Sequence, residues 1–169
     1  MLTLMTQSLL AEPLHRSHLP FLLNLHSDVA TMNAIGGVRT QEQTEQYLET
    51  NLDHWKNHGF GLWVFRERTT AELIGRGGLR YVNLEGQHEV EVAYTVHSSF
   101  WGKGLATEMG ALAVAHASTQ KLSELVAFTL PENKPSRRVM EKLNFRYDRN
   151  IQHLGLDMVL YRLALRTTI

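Results

Sequence analysis

Trp101-Gly102-Lys103-Gly104-Leu105-Ala106-Thr107-Glu108 joins two periodic segments of different kinds, and its reading decides the fold. Upstream, residues 88–97 alternate, with Val90, Val92, Tyr94 and Val96 on one face and Glu89, Glu91, Ala93, Thr95 and His97 on the other. This is the pattern of a half-buried strand. Downstream, Leu105, Met109, Leu112 and His116 recur at helical spacing, and Ala106, Ala111, Ala113, Ala115 and Ala117 favour a helix. The first amides of a helix have no internal partner, and the aligned peptide dipoles add positive charge there. Glycine at 102 and 104 permits positive φ and removes Cβ atoms that would hold a diphosphate away. A bare glycine turn uses the same residues, so the local chemistry leaves both readings open. A Walker A loop fails, because Lys103 is followed by Gly104 rather than Ser or Thr. A dinucleotide fingerprint is weak, because Thr107 stands where Gly or Ala belongs, although Glu124 lies at the distance of a ribose ligand.

Glu91-Val92-Ala93-Tyr94 and Trp101 to Glu108, followed by Asn133-Lys134-Pro135-Ser136 and Lys142-Leu143-Asn144-Phe145, resemble the GNAT superfamily of N-acetyltransferases. Within it the chain is most similar to the RimJ/RimL-like branch, the ribosomal-protein-alanine acetyltransferases. The likeness runs along nearly the whole chain. It implies an α/β (α+β) fold: a mixed, mostly antiparallel sheet flanked by helices, with a bulge in the strand before the corner and a splayed central strand pair. It also implies acetyl-CoA as co-substrate, its pyrophosphate on the amides of Trp101, Gly102, Lys103, Gly104, Leu105, Ala106 and Thr107. Trp101 replaces the superfamily's Arg or Gln, as the RimJ/RimL-like branch often does. Asn144 replaces a glycine, and asparagine tolerates the left-handed geometry of a helix end.

The 169 residues suit one domain, 1–169, with 17 basic residues balancing 17 acidic ones. No net field recruits nucleic acid or membrane. The lack of cysteine excludes disulfides, thiolate metal sites and a cysteine nucleophile. Neither a secretory signal nor a membrane-spanning stretch stands out, so a cytoplasmic protein is expected.

The remaining elements follow from periodicity. Residues 9–14 suggest a first strand, Ser17 a cap for a short helix carrying Leu19, Leu22, Leu23 and His26, and residues 27–39 a loop. Thr40 with Gln43 forms a capping box opening a helix that ends at Gly59. Residues 60–66 and 73–81 read as paired strands, and 83–87 turns into the strand before the corner. Residues 125–130 form the next strand, Asn133 caps a helix through Leu143, and strands from Phe145 and over 158–165 close the sheet.

Acetyl transfer requires a neutral amine, yet an α-amine titrates near ~8 and a lysine amine near ~10. The resemblance puts Glu91 at the catalytic glutamate position, as a base acting directly or through water; read alone, it is a solvated charge on a polar strand face. If the strands splay, free backbone groups of residues 95–97 would bond the pantetheine arm, and the N–H near Val96 would polarise the carbonyl. Ser136, at the N-x-x-S position, would serve the departing sulfur, and Asn133 the pantetheine arm; helix capping explains both side chains equally well.

Nine histidines form no HExxH motif, Trp55 and Trp63 sit in periodic core segments, and Arg137, Arg138 and Lys142 form a basic helix face. No metal is expected. The reading is direct transfer from acetyl-CoA to a primary amine, either a protein N-terminus or a small molecule. A non-catalytic acyl-CoA sensor and an unrelated nucleotide-phosphate module remain as alternatives, and an exposed sheet edge is compatible with a homodimer.

Overall fold

The computed structural model describes residues 3–165. Eight strands form one sheet: β1 (Leu4–Met5), β2 (Leu9–Pro13), β3 (Leu62–Glu67), β4 (Leu73–Leu84), β5 (Gln87–Val96), β6 (Glu124–Thr129), β7 (Arg146–His153) and β8 (Leu156–Ala164). Their order is β1-β2-β3-β4-β5-β6-β8-β7. Every pairing is antiparallel except β5 with β6, which are parallel and meet at one rung, Glu91 opposite Val126. That single rung is the splay expected of the central pair.

Five helices flank the sheet: α1 (Leu19–Ser27), α2 (Val29–Asn33), α3 (Gln41–His58), α4 (Leu105–Thr119) and α5 (Lys134–Lys142). The capping box forms as read, Thr40 Oγ1 accepting from Gln43 N, and α3 stops at Gly59 in the left-handed region (φ 73°). Asn144 is left-handed too (φ 67°), ending the turn after α5. Among the described residues no helix is long and apolar enough to cross a membrane.

Three local expectations need correction. Ser17 does not cap α1: a 3-10 turn, Arg16–His18, precedes that helix, and His15 accepts from Ser17 N. The 27–39 loop contains α2, because Asp28 caps it by accepting from the Thr31 N–H and hydroxyl. The bulge implied for β5 is absent, since β4 and β5 pair in unbroken register from Leu84↔Gln87 to Gly75↔Val96. The tight Glu85-Gly86 turn, with φ 50° and 83°, fixes that register from one end.

α4 lays Leu105, Met109, Ala113 and Ala117, an i, i+4 stripe, on the face of the sheet that carries Val92 and Val96. Met140 of α5 and Phe145 extend this core. On the opposite face α1 and α3 bury Leu22 and Leu48 against Leu14 and Val64. Each such aliphatic side chain contributes about 1.5–3 kcal/mol of transfer free energy. The polar face of β5 is buried as well and not solvated: Glu91 is 6% exposed and Thr95 8%.

Candidate active site

The backbone of β5 shows which groups face the splay. His97 N donates to Ile74 O, and antiparallel bonding alternates, so residues 91, 93, 95 and 97 bond β4 while 92, 94 and 96 turn away from it. Beyond the rung at Glu91, the amides of Tyr94 and Val96 and the carbonyls of Val92 and Tyr94 therefore face the opening toward β6. The sequence reading of residues 95–97 as the free segment shifts accordingly: Val96 N–H belongs there, and Thr95 and His97 do not. The carbonyl of Val96 accepts from Trp101 Nε1 at 2.9 Å, which pins the corner to the end of the strand.

At the corner, Gly102 and Gly104 have φ of 79° and 75°, and a Cβ on either would meet nothing within 4 Å. Gly104 is the N-cap of α4 and supplies no side-chain cap, leaving the Leu105, Ala106 and Thr107 amides without intrahelical partners. Glu108, the one acid in the first turn, bonds Thr6 Oγ1 and Ser8 N instead. Lys103 Nζ lies 5.3 Å from the Phe100 ring centroid, and Trp101 is half exposed. Amides that converge on open space, with no carboxylate among them, fit the diphosphate of acetyl-CoA.

Glu91 lies deeper. Arg80, opposite it on β4, donates Nε–H to Glu91 Oε2 at 2.6 Å; among the described residues Oε1 has no hydrogen-bond partner. The Glu91 carboxylate, against the opposing cost of burial, raises the Arg80 pKa, so the guanidinium stays charged. Across the splay, Tyr94 Oη lies 3.0 Å from the Ser136 carbonyl and 3.1 Å from Ser136 Oγ. The carbonyl can only accept, so Tyr94 donates its proton there and Ser136 Oγ donates to Tyr94 Oη. Burial pushes the Tyr94 pKa up to about 12, keeping the phenol protonated.

Asn133 caps α5 by accepting from Ser136 N, and its amide donates to Thr129 Oγ1 and Ala34 O. Capping occupies its carbonyl oxygen, and cross-bracing occupies both of its N–H groups. Arg137, a side chain left out of the site on sequence grounds, donates to Tyr161 Oη and Pro131 O.

Glu91, Tyr94 and Ser136 line one cleft of about 160 Å³ with Ala34, Ile35, Arg39, Arg76, Arg80 and Thr129. The arginines and Tyr94 were missed in the sequence. The signal was present in Arg76 and Arg80, two charges at even spacing inside an otherwise apolar strand.

Residues 8–146 match the family model described as Acetyltransferase (GNAT) domain. The uncharacterized protein YkkB of Bacillus subtilis (strain 168) is 26% identical over 138 residues, spanning 81% of this chain and 80% of its own. An acetyltransferase structure from Agrobacterium tumefaciens str. C58 superposes with a TM-score of 0.85 at 23% identity, covering 98% of this chain and 95% of that one. RimL, a ribosomal L7/L12 alpha-N-protein acetyltransferase solved with coenzyme A, superposes at 0.77 with 17% identity, covering 96% and 97%. At these identities the two structures establish likeness of fold.

Proposed function

The chain belongs to the GNAT acetyltransferase family, and from that premise we propose that this acetyl-CoA-dependent N-acetyltransferase modifies a primary amine, a protein N-terminus in the first instance, by direct attack in a ternary complex. One observation carries the reading: a carboxylate, Glu91, and a hydroxyl pair, Tyr94 and Ser136, line a single cleft beside main-chain amides that have no sheet partner.

Acetyl-CoA, when bound, supplies a thioester carbonyl that an amine can attack. The amides of Leu105, Ala106 and Thr107 hold its diphosphate end, and Val96 N–H takes the pantetheine arm as an added strand. Tyr94 N–H, the free amide nearer Glu91, polarises the carbonyl oxygen. Glu91 Oε1 receives the proton shed as the amine's lone pair closes on the acyl carbon, directly or through one water. Ser136 Oγ turns its proton from Tyr94 Oη to the sulfur as the C–S bond breaks, and Tyr94 Oη then turns its own proton from the Ser136 carbonyl to the Ser136 oxygen. Arg80 keeps Glu91 oriented throughout.

RimL is, by its name, a ribosomal L7/L12 alpha-N-protein acetyltransferase; membership of the RimJ/RimL-like branch rests on the sequence resemblance, Trp101 at the corner and the N-x-x-S segment Asn133 to Ser136. Thiol release from acetyl-CoA with N-terminal peptides and with lysine or small amines tests the acceptor. Peptides should outpace the others; release with small amines alone would overturn the N-terminal reading.

A further inference from the structure

The acceptor side of the cleft holds more positive charge than the proposed transfer chemistry uses. Three guanidiniums line it, Arg39, Arg76 and Arg80, against one carboxylate, Glu91. Arg80 is matched by Glu91. Arg76 is 3% exposed, and among the described residues no carboxylate lies within salt-bridge distance of Arg76 or Arg39. Both instead share a neutral acceptor. Arg76 Nε donates to His26 Nε2 at 3.0 Å and an Arg39 terminal nitrogen lies 3.3 Å from the same atom. His26 Nδ1 must then carry the ring proton and donates to Thr44 Oγ1 at 3.1 Å.

The two guanidiniums also lie 4.7 and 4.5 Å from the Tyr47 ring centroid. Tyr47 Oη, buried beside them, makes no hydrogen bond of proper geometry among the described residues. Burial first, and the neighbouring guanidiniums second, lower the Arg76 pKa to about 10, still charged at neutral pH. A buried arginine whose terminal nitrogens lack a counter-charge costs free energy unless an anion arrives to pair with it.

We propose that the acceptor amine belongs to a molecule that also carries a carboxylate, which Arg39 and Arg76 hold while the amine faces Glu91. The proposal rests on the acetyltransferase reading and names the chemistry of its second substrate. The same charges serve the reaction. Positive potential in the cleft disfavours the ammonium form, so the amine arrives closer to its reactive neutral state. Arg76 and Arg80 lie four residues apart on one face of β4, and their side chains converge on the cleft that Glu91 also lines. An acidic residue near a peptide N-terminus and the α-carboxylate of a free amino acid both place an anion within a few bonds of the amine, and the two sources are separated by experiment.

Two matched pairs test this: Ser-Glu-Ala-amide against Ser-Gln-Ala-amide, and serine against serinamide. For either pair, kcat/KM should favour the carboxylate by about tenfold or more, the worth of one charge-assisted hydrogen bond. Which pair responds identifies the source of the anion. Arg39→Gln, on a partly exposed loop, and Arg76→Gln should each bring the ratio toward one without weakening acetyl-CoA binding by calorimetry. Ratios near one in both wild-type pairs overturn the proposal, as do variants that lose acetyl-CoA affinity instead. Calorimetry of the N-acetylated pairs with CoA present needs no turnover. A carboxylate preference there, with no transfer to any amine, sustains the anion site and sinks the acceptor reading alone.

Discussion

Glu91→Gln preserves the shape of the side chain and removes its charge, which separates two duties of one carboxylate. In the wild type Oε2 balances Arg80 in a cleft that already holds Arg39 and Arg76. Breaking a buried pair by removing one partner costs about 3–5 kcal/mol. Arg80 keeps 29% of its side chain exposed, so water screens the orphaned charge and about 1–2 kcal/mol is expected. For a chain of this length each kcal/mol moves Tm by about 2–4 °C, so the variant should melt about 2–8 °C lower. Loss of a general base should cut turnover about 10²–10⁴-fold. Adding Arg80→Gln removes the uncompensated charge, so the double variant should regain part of the lost Tm and none of the turnover. Differential scanning calorimetry and thiol release with saturating acetyl-CoA read the two effects separately. Wild-type turnover in Glu91→Gln, or turnover that returns with stability in the double variant, would reduce Glu91 to charge balance and refute the base assignment.

Three further outcomes are expected. Gly104→Ala places a side chain at φ 75°, costing about 1–2 kcal/mol, and its methyl enters the open space at the corner that the diphosphate is proposed to fill. Acetyl-CoA affinity should fall about tenfold, ~1.4 kcal/mol, by calorimetry; a destabilised variant that binds as before would remove the corner from the coenzyme site. Ser136→Ala should slow transfer with little change in Tm, and Tyr94→Phe should slow it less, because Tyr94 acts through Ser136; equal wild-type rates would leave the hydroxyls structural. Burial first, then Arg76 and Arg39, lower the His26 pKa to about 2 from 6.5. Below pH 6.5 the unfolded chain takes up a proton that the folded one refuses, so stability is full above that pH and falls as pH drops. His26 alone removes about 2 kcal/mol between pH 6.5 and 5, at ~1.36 per unit. His18, His54 and His116 shift in the same direction and steepen the loss. Denaturant titrations across this range should show His26→Gln flattening the slope; an unchanged slope would contradict a neutral, buried His26.

Local rules made much of this fold legible. Thr40 and Gln43, Gly59, Asn133 and Asn144 act through neighbours in sequence, and their caps formed where their chemistry required. The alternation of β5 was also correct as geometry, yet alternation reports which side a residue takes and not what covers that side. Glu91 reads as solvated because the groups that enclose it, Arg80 on β4 and the loop residues Ala34, Ile35 and Arg39, are distant in the chain. Its partner is eleven positions upstream, and pairing follows only from the register set by Glu85-Gly86. The cluster of Arg39, Arg76 and His26 joins three elements through one imidazole nitrogen, a meeting that no spacing along the chain encodes. α2 escaped for the opposite reason: at five residues it is too short for periodicity to register.

Trp101 lends the molecule an optical use. Trp63 is sealed in the core and Trp55 is tied to Leu62 O by its indole N–H, so neither emission spectrum should sense events at the corner. Trp101 is 53% in solvent and hooked by one edge to Val96, inside the turn proposed to hold the diphosphate. On that proposal, an adenine or phosphate arriving there should alter the polarity around this indole, so coenzyme arrival should be observable in native protein, in real time, without a label.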